Sequence, residues 1–112
     1  MSEIDRVIHE PARLQLVALL SSVKEADFVY LLRITGFTKG NLSSHLAKLE
    51  EAAYVEIEKT FRGKIPLTVI RLTKDGRAAY ESYREAITAL LRRHTPAGRL
   101  TSLVALERLR RE

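Results

Sequence analysis

The sequence predicts a mainly α-helical fold with one small antiparallel β-hairpin. Three observations lead there. From Ala12 to Ala53 the apolar residues recur at helical spacing, and Gly36 interrupts them where a helix would end. Residues 54–72 then change to two β-rich runs on either side of Arg62-Gly63-Lys64. Last, Tyr80, Tyr83, Ile87 and Leu90 recur at spacings of 3, 4 and 3, the mark of a long terminal helix, with His94 falling 4 residues further on. A chain of 112 residues, 46% apolar, is one domain with one core.

Pro11 suits the first turn of a first helix, where its missing N–H costs nothing. Leu14, Leu16, Val17, Leu19 and Leu20 cover more than one face, so this helix is expected to be buried on two sides. Ile4, Val7 and Ile8 precede it and either extend it or pack beside it. A second helix is expected from about Ala26 to Thr35, with Asp27 at the positive end of its dipole, Phe28, Leu31 and Leu32 on one face, and Gly36 as its left-handed cap. Thr38 is the expected N-cap of a third helix, whose apolar stripe is Leu42, Leu46, Leu49 and Ala53. Val55 and Ile57 alternate with Glu56 and Glu58, as in a half-buried strand. Residues 62–66 are turn-prone, and Leu67–Leu72 form the return strand. Thr73 caps the long final helix, which Thr95-Pro96-Ala97-Gly98 would end. Leu100, Leu103, Val104 and Leu106 are spaced for a short amphipathic helix in the basic tail. The expected division is 1–73 for the core, 74–94 for the final helix and 95–112 for the tail.

Two short helices joined through a glycine turn, the second followed at once by a hairpin, have the layout of a winged helix-turn-helix. With Leu42 at zero and about 100° per residue, the apolar stripe lies within about 40° of zero. Gly40, Ser43, Ser44, Ala47, Lys48 and Glu51 fall on the opposite half, with Asn41 and His45 on its flanks. Small side chains let a helix approach base edges closely. Serine exchanges hydrogen bonds with bases and phosphates, alanine touches a thymine methyl and asparagine pairs with adenine. Lys39 and Lys48 suit phosphates, as does the helix N-terminus that begins after Thr38. Glu50 and Glu51 are expected at the far end, away from the groove. Arg62, Gly63 and Lys64 form a cationic tip suited to the DNA backbone or minor groove, with Lys59, Thr60 and Arg71 as flanking candidates.

The charge distribution agrees. The net charge is +5, and residues 38–74 hold seven cations against four anions, while the tail 92–112 holds six against two. The chain has no cysteine, which rules out disulfides and thiolate metal sites and fits a reducing cytoplasm. No apolar run approaches the about 20 residues of a membrane span, and the N-terminus lacks a signal peptide's apolar stretch. His9 and His94 have no neighbours at metal-ligand spacing, so neither metal nor cofactor is expected.

The stretch from Pro11-Ala-Arg-Leu14 through Asn41-Leu-Ser-Ser-His-Leu-Ala-Lys-Leu-Glu-Glu-Ala52 to Leu72-Thr-Lys-Asp-Gly-Arg77 resembles the winged-helix regulators related to the MarR and ArsR families. It is most similar to the small single-domain archaeal and bacterial winged helix DNA-binding group. The resemblance spans roughly residues 7–90. It implies a cytoplasmic homodimer that controls transcription and has no enzymatic activity. Metal-sensing relatives carry cysteines beside the third helix; their absence here excludes a thiolate switch. Ala53 stands where relatives often have glycine, a departure expected to have little effect.

His45 has two readings, DNA contact or a bridge from helix to wing. Glu50, Glu51, Glu56 and Glu58 read as solvated charge rather than acid–base machinery. The Tyr80, Tyr83, Ile87, Leu90 and Leu91 face can pack on its own domain. A domain this small has little surface to cover it, so a dimer seam, joined by Ile4, Val7 and Ile8, is the favoured reading. The expected partners are double-stranded DNA with a roughly palindromic operator and a second copy of the chain; no residue demands a small-molecule effector. The rivals are a protein-interaction winged helix, a non-specific architectural DNA binder, an RNA binder and, weakest, an enzyme. A protein-interaction module would show an apolar or acidic third-helix face, and an RNA reader exposed aromatic platforms.

Overall fold

The computed structural model describes residues 4–94. Along the chain the elements are α1 (Pro11–Ser21), β1 (Ala26–Asp27), α2 (Phe28–Thr35), α3 (Lys39–Glu51), β2 (Val55–Arg62), β3 (Ile65–Leu72) and α4 (Lys74–Arg93). The expected mainly helical fold with a β-hairpin is the one observed. The tail from residue 95, with its expected helix, lies outside the described residues.

Side-chain oxygens start all four helices. Glu10 accepts from the amides of Ala12 and Arg13, Asp27 from Tyr30, Thr38 from Asn41 and Thr73 from Gly76. The second helix begins at Phe28 rather than Ala26, because Ala26 and Asp27 pair with Ile70 and Val69 as a third strand. The sheet order is β1-β3-β2, all antiparallel. Two residues are too few for alternation to show in a sequence, and the pairing partner is over 40 positions away. The return strand starts at Ile65, earlier than the turn-prone stretch implied. Only Gly63 and Lys64 lie between the strands, and Gly63 takes φ 64°, as a tight hairpin with glycine at its first central position requires.

The core is built by Leu16, Val17 and Leu20 of α1, Leu31 of α2, Leu42, Leu46 and Leu49 of α3, Val55 and Ile70 of the sheet, and Tyr83 of α4. The apolar faces of α1, α2 and α3 therefore converge as their spacing implied, and α4 joins them through Tyr83. Ala53 does not continue the α3 stripe. The helix stops at Glu51, and Ala53 is exposed with φ 66°. That backbone region disfavours any residue with a Cβ, by roughly 1–2 kcal/mol, so alanine in place of glycine here carries a cost rather than the expected small effect.

Ile4, Val7 and Ile8 pack beside α1 and do not extend it. Asp5 organises this segment: its carboxylate accepts from the amides of Val7 and Ile8 and from the Tyr54 hydroxyl. That hydrogen bond, with burial and the Asp5 and Asp75 charges behind it, pushes the Tyr54 phenol up to about 12. The base of the hairpin is locked to α4 at the same tyrosine. The Thr73 amide donates to the Tyr54 carbonyl at 3.0 Å, and a Cβ on Gly76 would lie 2.1 Å from that oxygen.

Candidate nucleic-acid interface

α3 is held from behind and open in front. Leu42, Leu46 and Leu49 are buried, whereas Thr38, Lys39, Gly40, Asn41, Ser43, Ser44, Ala47 and Lys48 are all exposed. The wheel thus separated the two faces residue by residue. Gly36 caps α2 at φ 72° and turns the chain into α3, which fixes the angle at which that open face is presented.

The open face has two flanks. Ser43 and Ala47 line a groove of about 310 Å³ with Phe28, Leu46, Ile57, Lys59 and Thr68, between α3 and the wing. Glu50 lines the same groove, so this carboxylate stands beside the wing and not remote from the face as expected. On the other flank, Lys48 shares a depression with Arg6, Val7, Arg13, Glu51 and Ala52. Arg6 is exposed there and no sequence signal marked it, because its segment is slightly acidic overall.

His45 is only partly exposed and does not reach the wing. Its Nδ1 lies 3.4 Å from a Glu10 carboxylate oxygen and 3.3 Å from an Arg13 guanidinium nitrogen, with Phe37 against its ring. The bridge it makes runs from α3 to the start of α1. Arg13 is spent locally as well, donating to the Val7 carbonyl at 2.6 Å. Partial burial would raise the Glu10 carboxyl. The amides of Ala12 and Arg13, and the neighbouring His45 and Arg13 side chains, outweigh it and hold the group below the usual carboxylate value.

The hairpin cations divide sharply. Arg71 donates to Glu25 at 2.9 Å and to Glu58 at 2.8 Å, which keeps it more firmly protonated than usual. It is therefore tied into the sheet and is no free contact for a ligand, and Glu58 is its partner rather than idle solvated charge. Among the described residues, the ion pairs leave out Lys39, Lys48, Lys59, Arg62 and Lys64. At the tip, Arg62, Gly63 and Lys64 are exposed. The structure thus presents an open helix with lysines at its start and on its flank, and beside it a hairpin ending in two free cations.

Residues 12–91 match the model of the winged helix DNA-binding domain. The chain belongs to that family. An uncharacterized protein of Methanocaldococcus jannaschii is 35% identical over 79 residues, covering 70% of this chain and 85% of that protein. The solved structure of a transcriptional regulator homologue from Pyrococcus horikoshii superposes with a TM-score of 0.74 at 25% identity, over 78% of this chain and 86% of that one. A MarR mutant from E. coli, solved in complex with operator DNA, gives a TM-score of 0.59 at 17% identity, over 87% of this chain and 71% of that one, a likeness of fold. Family and fold are those of DNA-binding transcription regulators. No helix among the described residues is long and apolar enough to cross a membrane.

The expected dimer seam is used differently from what its spacing suggested. Ile8 is 0% exposed and Tyr83 7%, both within their own chain. The Tyr83 hydroxyl is 2.8 Å from His9 Nδ1, which draws the N-terminal segment over that face of α4. These two are core residues of their own chain. Ile4, Val7, Tyr80 and Ile87 are partly covered by the same core. Leu90 is half-buried, and Leu91 remains 60% exposed. The physical reason is that residues 4–9, outside any helix, supply apolar surface that covers this face within the chain.

Proposed function

We propose that this winged helix is a sequence-specific, double-stranded DNA-binding regulator that acts as a cytoplasmic homodimer and represses transcription by occupying promoter DNA. The observation that carries this reading is the exposed face of α3. Gly40, Ser43, Ser44 and Ala47 leave it low enough to enter a major groove, and Lys39, Lys48 and the helix N-terminus stand at the phosphates. The wing tip then meets the flanking backbone or minor groove through Arg62, Gly63 and Lys64. Asn41 reads a base edge, and Thr38 belongs to the N-terminal phosphate contact. His45 supports the helix from its edge, with Glu10 as its neighbour.

The dimer rests on the end of α4, where Leu91 is exposed and Ile87 and Leu90 are only partly covered. Pairing there would set two α3 helices in successive major grooves about 34 Å apart, on a roughly palindromic site. A protein-interaction module is disfavoured by the small, polar surface of α3.

Fluorescence anisotropy of duplex binding against salt tests the reading. Lys48→Ala and Arg62→Ala should each weaken binding and each lower the salt slope by about 1, the signature of one lost phosphate contact. Unchanged affinity in both would overturn the assignment of helix and wing. Sedimentation should show a dimer that Leu91→Glu converts to monomer.

A further inference from the structure

The hairpin tip carries a feature that cationic phosphate contact does not use. Phe61 is 68% exposed and Ile65 64%, the two most exposed large apolar side chains among the described residues. They immediately flank Arg62-Gly63-Lys64. The register pairs Phe61 with Pro66 and Arg62 with Ile65, and adjacent pairs point to opposite faces of a hairpin. Each face of the tip therefore has an apolar side chain. The Phe61 face is also that of Lys59 and Thr68, which line the groove beside α3. From Lys59 to Arg71 the hairpin contains no carboxylate.

A ribbon that is apolar on both faces and cationic at its crest cannot be satisfied by a flat surface, which would cover one face only. It fits a cleft with two apolar walls and a negative potential. The DNA minor groove is such a cleft, walled by deoxyribose C–H groups and attractive to arginine, and apolar side chains that enter it widen it or wedge base steps apart. We propose that Phe61 and Ile65 are DNA-binding residues, an apolar anchor that inserts into the minor groove beside the α3 site. This rests on the DNA-binding reading above. It adds a component of affinity that depends on buried apolar surface and not on released counterions.

The test pairs Phe61→Ser with Ile65→Ser in the full chain. Both side chains face solvent, so thermal unfolding of the double variant should match the wild type. On the wild type's own selected duplex, its affinity should fall about tenfold at every salt concentration, with the salt slope unchanged. Arg62→Ala should instead lower the slope. Hydroxyl radicals attack deoxyribose hydrogens exposed in the minor groove. The wild type should protect these at the flanks of the site, and the double variant should lose that flank protection while keeping the central one. A double variant that binds as tightly, with the same footprint, would overturn the anchor and leave DNA binding standing. A wild type that binds no duplex would overturn both.

Discussion

The two ends of the β-hairpin are built from similar residues and put to different use. At its base, β3 lies between two strands, Ile70 is fully buried, and Arg71 is held by two carboxylates. At its tip, five residues earlier in the same strand, Ile65 is exposed, and Arg62 opposite it has no ion-pair partner among the described residues. Isoleucine and arginine occur at both ends. Their roles are set by what the chain places opposite, which is β1 and Glu25 at the base and solvent at the tip. An arginine on a hairpin is therefore a ligand contact only where no carboxylate reaches it first.

The largest expected effect breaks this contrast within one strand. Ile70→Ala should cost about 3–4 kcal/mol of unfolding free energy in urea denaturation, through lost burial and the cavity left behind. Ile65→Ala should stay within about 0.5 kcal/mol. Next is Gly76→Ala, which drives a methyl into the Tyr54 carbonyl and should cost about 2–3 kcal/mol, because the base of the hairpin must move off α4. In the opposite direction, Ala53→Gly should raise stability by about 1 kcal/mol by relieving the positive φ, without changing DNA affinity.

Two pH effects are smaller and sharpen the account of the N-terminal segment. Tyr54 has a folded pKa raised from 10.0 to about 12, so the neutral phenol is favoured by folding. Its contribution is complete below pH 10 and is lost as pH rises from 10 towards 12; Tyr54→Phe should flatten that part of the stability curve. Glu10 is the reverse case. Its folded pKa lies below the ordinary glutamate value of 4.5, so its contribution is complete above that value and fades as pH falls through the folded one. Glu10→Gln should remove that acid-side dependence in thermal melts followed against pH.

Much of this was legible in the sequence for a specific reason. Helical period and capping chemistry are local, so Gly36, Thr38 and Thr73, and the Leu42, Leu46 and Leu49 stripe, could be read from neighbours alone. The open face of α3 followed from the same period. What escaped depends on distant partners. β1 is defined by Ile70 and Val69, and the loss of Arg71 as a contact by Glu25 and Glu58. The burial of Ile8 and Tyr83 comes from an irregular segment packing on α4. His45 was placed on the edge of the open face, but its bridge to Glu10 depends on where α1 begins. Ile65 falls in the turn-prone stretch and Phe61 just before it, and neither turn propensity nor alternation says whether anything lies against a side chain.

In the proposed function, the bare face of α3 and the free end of the hairpin together read double-stranded DNA. Selection from a random duplex library, followed by affinity measurements against salt on the enriched sequence, tests it most directly. Enrichment of a roughly palindromic site, bound with a steep salt slope, is the expected result. Absence of binding to any duplex, even at low salt, would contradict it.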